Sequence, residues 1–256
     1  MNLIDVFILS IVEGITEFLP VSSTGHMILT SRLFGLAQTE FLKSFEISIQ
    51  LGAILAVAVL YWRRLLTDIE TIKRIVVAFI PTGVIGFVLY SSIKHFLMGN
   101  SFVVLWALFL GGIFIIVFES LHREKECDIE EMSGISYKQA FLIGVIQSLA
   151  VVPGVSRSAA TIIGGLMLGL KRKTILEFSF LLAIPTMASA TALDLAKTAF
   201  SFTGEEYKYL AIGLVISFAS AMLSVKFLLT FIKNNSFTIF GIYRILLAII
   251  LWRIII

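Results

Sequence analysis

FILSIVEGITEFLPVSSTGH, residues 7–26, starts as an apolar helix and then breaks. Glu13 and Glu17 lie inside the apolar run, Pro20 ends it, and Ser22-Ser23-Thr24 leads into a second apolar run from Gly25. A helix that crosses a bilayer needs about 20 mostly apolar residues without interruption. Non-helical backbone at membrane depth survives only where protein buries it or where it lines a cavity. Residues 3–35 therefore read as a re-entrant hairpin: a short helix, an irregular turn and a second short helix, entering and leaving on one face.

The pattern occurs twice. FLIGVIQSLAVVPGVSRSAA, residues 141–160, aligns with the first stretch at a constant offset of 134. Val21 meets Val155 and Ser22 meets Ser156, while Glu13 meets Gln147 and Ser23 meets Arg157. Residues 139–170, broken by Pro153-Gly154 and Ser156-Arg157-Ser158, read as a second hairpin.

The rest of the chain says that the solvent is lipid. Of 256 residues, 58% are hydrophobic and 14% charged, and the mean hydropathy is +1.00. A soluble domain carries about 25% charged residues. This composition excludes a soluble enzyme and a disordered chain. The single cysteine, Cys127, excludes a disulfide scaffold. Long continuous apolar runs exclude a β-barrel. The net charge is +3, with basic residues in short clusters between apolar runs. That is a topology signal, and no nucleic-acid partner is expected. The first basic residue is Arg32, so no cleavable signal peptide is expected.

Six spans are predicted: 44–62, 75–93, 96–118, 178–193, 209–225 and 236–252, the last interrupted by Arg244. Each hairpin precedes three spans, so each half crosses an odd number of times and the second half is inverted relative to the first. The expected fold is an all-α polytopic membrane protein with six transmembrane helices and two re-entrant helical hairpins. It divides into two inverted-topology repeats, 1–121 and 139–256, joined by a polar linker, 122–138. Lys and Arg number eleven on the face carrying the 62–74 loop, the linker, the 171–173 cluster and the 233–235 loop. The opposite face has six, and Arg157, Lys226 and Arg244 lie within apolar stretches. The richer face should be cytoplasmic, which turns the mouth of the first hairpin outward.

Ionisable groups at membrane depth default to function. Glu13 and Glu17, four apart, share a helix face; two carboxylates together repel unless a cation or proton sits between them. Ser22, Ser23 and Thr24 precede a helix, where they could simply cap it, but free N–H groups at a helix start also bind anions. Ser156 and Ser158 repeat this around Arg157. Two half-helix N-termini and one guanidinium make a site for a phosphate group; the plainer alternative for Arg157 is an ion pair with Glu13 or Glu17. His26 follows Ser23 by about one turn, the spacing of a nucleophile and a base, and is itself a candidate phosphoryl acceptor. Its plainer alternative is a buried structural histidine. His95 and His122 sit in loops, and Cys127 in the linker, without an expected role. Glu13, Glu17 and Arg157 sum to −1, and phosphates add negative charge. A divalent cation, Mg2+ or Ca2+, bridging carboxylate and phosphate oxygens would neutralise the site.

EGITEFLPVSSTGH (13–26) and PGVSRSAAT (153–161) resemble the two signature segments of the undecaprenyl-diphosphate phosphatase family, the bacitracin-resistance type. FEISIQLGAILAV (45–57) is similar to a third stretch of that family; one departure is Ala159, where glycine is expected. The resemblance implies a bacterial inner-membrane enzyme that removes a phosphate from a C55 polyprenyl diphosphate, with membrane lipids as its surroundings and a homodimer left open. It marks Glu13, Glu17, Ser22, Ser23, Thr24, His26, Ser156 and Arg157 as site residues. It further implies dependence on a divalent cation and an extracytoplasmic site. Ser23, His26 and water all remain candidate nucleophiles. The competing reading is a transporter of a polyprenyl phosphate, which would need the anion-binding groups but no nucleophile and base.

Overall fold

The computed structural model describes residues 1–92, 100–124, 128–198, 202–233 and 235–255. Among these the protein is all α, with one isolated β-bridge between Ile129 and Leu170. The first half holds α1 (Leu3–Thr16), α2 (Ser23–Leu33), α3 (Glu40–Ser48), α4 (Gln50–Leu60), α5 (Trp62–Thr67), α6 (Ile69–Ser92) and α7 (Ser101–Leu121). The second holds α8 (Tyr137–Gln147), α9 (Arg157–Met167), α10 (Arg172–Thr198), α11 (Gly204–Phe231) and α12 (Thr238–Ile255).

Among the described residues, five segments are long and apolar enough to cross a membrane: Glu40–Leu60, Ile69–Leu89, Ser101–Leu121, Arg172–Thr198 and Gly204–Phe231. They overlap five of the expected spans. The spans expected at 75–93 and 96–118 run into residues 93–99, which lie outside the described set, as do His95 and Cys127. The expected span 236–252 falls on α12, an 18-residue helix that is not among the five. Large apolar side chains cover the outside: Phe87 and Leu223 are each 71% exposed. In water such a surface would be untenable; against lipid it is neutral. The chain is a multi-pass, all-α membrane protein.

α1 has 14 residues and α2 eleven. At 1.5 Å per residue they reach about 21 and 17 Å, short of the roughly 30 Å hydrocarbon layer. Their boundaries follow local chemistry. Asn2 caps α1 in a capping box with Asp5, and Ser136 caps α8 in the same way with Gln139. Ser22 caps α2 through Gly25 N, and Ser156 caps α9 through Ala159 N. Gly35 and Gly169, both at positive φ, follow the ends of α2 and α9. All these pairs differ by 134 in number.

The packing exchanges partners in the same way: α1 lies along α11, and α8 along α6, while α4 meets α10 and α7 meets α12. The α1–α11 crossing is close because Gly14 has no side chain; a Cβ there would stand 2.5 Å from the Ser217 carbonyl oxygen. On the Lys/Arg-rich face, linker and helices are tied by ion pairs. Arg172 grips Glu119 at 2.5 and 3.0 Å, and Arg64 meets Glu177 at 2.5 Å.

Candidate active site

Both hairpin turns are built on a strained serine. Ser22 (φ 71°) and Ser156 (φ 75°) are the only non-glycine residues at positive φ among the described residues. Such a conformation costs about 1–3 kcal/mol and concentrates at functional sites. It lets each serine cap its own helix at the turn between two short helices. Each cap takes up one N–H, that of Gly25 or of Ala159, at 3.2 Å. The other N–H groups of the first turn have no intrahelical acceptor, so each helix start keeps its pull on an anion. Alanine at 159, where glycine was expected, is accommodated in this turn.

The two turns touch. Ser158 Oγ donates to the Leu19 carbonyl at 2.7 Å and lies 3.1 Å from Ser156 Oγ. Arg157 reaches across from α9 to the first hairpin. Its Nη2 donates to Glu17 Oε1 at 2.9 Å, its Nη1 donates to the Ser179 carbonyl at 2.8 Å, and its guanidinium lies over the Phe18 ring. Its Nε is buried without a partner, a donor still to be used. Glu17, in turn, accepts the hydroxyl hydrogen of Ser23 on Oε2. One carboxylate therefore holds both the cation and the hydroxyl.

These groups face a cavity of about 690 Å3. Glu17, Ser22, Ser23, Thr24, Ser156 and Arg157 form its polar wall. Phe79, Ile80, Val84, Phe87 and Val88 of α6 form an apolar wall. Phe87 and Val88 are about as exposed on the outside of the molecule, at 71% and 70%. The apolar wall thus runs from the polar end out to the lipid-facing surface.

Three of the sequence-marked residues are not on that wall. Glu13 is fully buried one turn behind Glu17, and neither of its oxygens has a hydrogen-bond partner. Glu17, Glu46 and Arg157 are the charged groups that act on it. Ser158 is spent on tying the turns together. His26 does not meet Ser23: the structure corrects the pairing that their spacing suggested. The imidazole folds back onto its own turn, with Nδ1 2.7 Å from the Ser22 carbonyl oxygen and Nε2 2.7 Å from Tyr243 Oη. Ser23 points the other way, towards α1.

Among the described residues no group of three or more His, Cys, Asp or Glu converges on one point. A cation here would take no more than the two carboxylates Glu13 and Glu17 and would complete its shell with phosphate oxygens and water, the habit of Mg2+. The two orphaned oxygens of Glu13 fit such a charge.

Two contributors had no motif to announce them. Arg244 is fully buried, and its guanidinium donates to Gly154 O at 2.7 Å, Ala107 O at 2.9 Å, Val155 O at 3.1 Å and Pro20 O at 3.3 Å. It binds both hairpin turns to α7. A Cβ on Gly111 would stand 2.9 Å from the Arg244 Cζ, so glycine there makes room for it. A charge within an apolar stretch was the available signal. Gln147, the counterpart of Glu13, also lines the cavity and is fully occupied, donating to Thr82 Oγ1 at 2.9 Å and accepting from Thr161 Oγ1 at 3.2 Å.

Comparison with known proteins identifies the family. Residues 6–250 match the family described as "Bacitracin resistance protein BacA". The undecaprenyl-diphosphatase of Aquifex aeolicus is 56% identical over 243 residues, covering 95% of this chain and 94% of that protein. The undecaprenyl-diphosphatase of a Sulfurihydrogenibium species is 53% identical over 254 residues, 98% of this chain and 100% of the relative. That of Methanococcus aeolicus is 41% identical, with 98% of each chain covered. The chain belongs to the bacitracin resistance protein BacA family.

Proposed function

We propose that this chain hydrolyses undecaprenyl diphosphate to undecaprenyl phosphate and inorganic phosphate, returning a lipid carrier to cell-wall synthesis. The observation that carries the reading is the Arg157–Glu17–Ser23 hydrogen-bonded set at the polar end of a cavity whose other wall leads to lipid. The diphosphate goes to the two helix N-termini and Arg157, and the polyprenyl tail lies along α6. Arrival of phosphate gives Arg157 a second anionic partner, for which its free Nε is available.

Ser23 Oγ attacks the terminal phosphorus while its proton passes to Glu17 Oε2. A P–Oγ bond forms and the P–O bond to the bridging oxygen breaks. The lipid monophosphate leaves with its charge held by Arg157. Glu17 passes its proton to the departing monophosphate; water then attacks phosphoserine, its proton passing through Glu17 to Ser23 Oγ as the P–Oγ bond breaks, and inorganic phosphate departs. The N–H groups at the start of α2 stabilise charge on the phosphoryl oxygens. A divalent cation, Mg2+ or Ca2+, would be held by Glu17 and Glu13 together with phosphate oxygens, and when bound it would offset the negative charge of the diphosphate.

The same reading takes the chain as six crossings and two re-entrant hairpins, in two inverted repeats, 1–121 and 139–256, about the linker 122–138. The common offset of 134 and the exchanged helix partners support it. The Lys/Arg distribution supports a site that faces the extracytoplasmic side of the bacterial inner membrane.

The test is purified protein in detergent with undecaprenyl diphosphate. One inorganic phosphate per lipid is expected, with undecaprenyl phosphate as the other product. Inorganic pyrophosphate, which has no tail for the apolar wall, should turn over far more slowly. Saturable binding of undecaprenyl phosphate with no phosphate release from the diphosphate would favour transport instead.

A further inference from the structure

His26 is buried, with 8% of its surface exposed, and is not among the residues lining the cavity. A carbonyl oxygen only accepts, so the 2.7 Å contact to Ser22 O puts the proton on Nδ1. The lone pair of Nε2 then accepts the Tyr243 hydroxyl, also at 2.7 Å. The two rings lie 3° from parallel with centroids 5.6 Å apart. Both ring nitrogens are engaged by groups that do no chemistry, and the Ser23 proton already has its acceptor in Glu17.

What the imidazole holds is the strained residue. The Ser22 carbonyl receives two hydrogen bonds from His26, one from the ring and one from the backbone N–H at 3.1 Å. In the second hairpin the matching position is Ala160, and among the described residues Ser156 O receives only the backbone N–H, at 3.0 Å. The extra restraint is found only in the half whose next residue, Ser23, carries the reactive hydroxyl.

We infer that His26 and Tyr243 are positioning residues. Tyr243 fixes the imidazole tautomer and orientation, and the imidazole clamps Ser22 in its left-handed conformation so that Ser23 stays aimed between Glu17 and the phosphate. This assignment rests on the diphosphatase reading of the cavity. It adds Tyr243 to the residues that matter for the reaction and removes His26 from those that exchange protons with the substrate.

Three substitutions of His26 separate clamping from acid–base chemistry. The amide nitrogen of asparagine falls near the position of Nδ1, and that of glutamine near Nε2. His26→Asn keeps a donor for Ser22 O and should turn over within about tenfold of the native protein, the effect of one imperfect hydrogen bond. His26→Gln and His26→Ala should fall by about 100-fold or more, with KM little changed. Tyr243→Phe, which keeps the ring and loses only the hydroxyl, should lower kcat about tenfold. If the asparagine variant is as inactive as the alanine variant, the clamp is wrong and His26 is a base or a nucleophile. Should any His26 variant fail to fold, Tyr243→Phe decides alone: unchanged kcat there overturns the assignment.

A readout independent of turnover completes the test. With 15N-labelled histidine, the His26 resonances (identified by their loss in His26→Asn) should show a neutral ring protonated on Nδ1, and Tyr243→Phe should shift the Nε2 resonance. An Nε2-protonated ring overturns the clamp whatever the activity. A native protein with the expected tautomer but no phosphate release would instead sink the diphosphatase reading.

Discussion

The two hairpins have one backbone and different side chains. The turn geometry at Ser22 is repeated at Ser156, and the caps, the helix starts and the closing glycines correspond. Yet Glu17 faces Val151, Ser23 faces Arg157, Glu13 faces Gln147 and His26 faces Ala160 in the alignment. In the proposed reaction each turn supplies a helix N-terminus for an anion, the first adds a hydroxyl and a proton acceptor, and the second adds a cation. A symmetric scaffold thus carries an asymmetric reaction, and the asymmetry lies in side chains placed one turn on either side of the break.

That division can be broken by exchanging its parts. The largest effect is expected for Ser23→Ala, which leaves the cap, the cavity and Arg157 in place but removes the attacking oxygen. Phosphate release should fall by about 1000-fold or more, as for lost nucleophiles elsewhere, and residual turnover near the native rate would shift the attack to water or His26. Next is Arg157→Lys. The charge is kept, but the planar fork that serves Ser179, Glu17 and phosphate together is lost. Turnover should drop about 100-fold, at 1.5–3 kcal/mol for each charge-assisted hydrogen bond. Near-normal kinetics would leave the helix N-termini as the only phosphate ligands.

The carboxylate–amide pair sharpens the comparison. Glu13→Gln removes a buried, unpartnered carboxylate, so the protein should melt at the same temperature or higher while its activity and its response to added Mg2+ decline. Gln147→Glu puts a charge where three threonine hydroxyls are arranged for an amide. It should lower the melting temperature by several degrees, since a buried charge without a partner costs a few kcal/mol. Equal melting shifts for the two would mean that the environments are interchangeable. The smallest effect is expected at the turns themselves. Ser156→Gly relieves the positive φ but loses the cap, two terms of about 1 kcal/mol each and opposite sign. Stability should move by less than about 1 kcal/mol, and Ser22→Gly should match it in stability yet lose more activity.

Much of this was legible in the sequence because its causes are local. Proline and the serine run mark where the first helix breaks, and one offset aligns both breaks. Helix lengths follow from apolar runs and caps. What spacing could not supply is contact between distant elements. An ion pair of Arg157 with Glu13 or Glu17 was one of two open readings, and the contact that selects Glu17 spans 140 positions. Tyr243 lies 217 residues from the imidazole it holds, and nothing around it distinguishes it from any aromatic residue on a lipid-facing helix. Arg244 stood out as a charge in an apolar run, but its partners are backbone carbonyls, which no side-chain motif reveals. The Ser23–His26 pairing failed for a related reason. Helical spacing says which side chains can meet, and tertiary neighbours decide which way each one turns.

The division of labour between the hairpins comes to a point at Ser23. Rapid-quench trapping with undecaprenyl diphosphate labelled on its terminal phosphate should capture label on the protein that survives acid, and that is absent from Ser23→Ala. Acid-labile label that disappears in a His26 variant, or no label at all during active turnover, would contradict it.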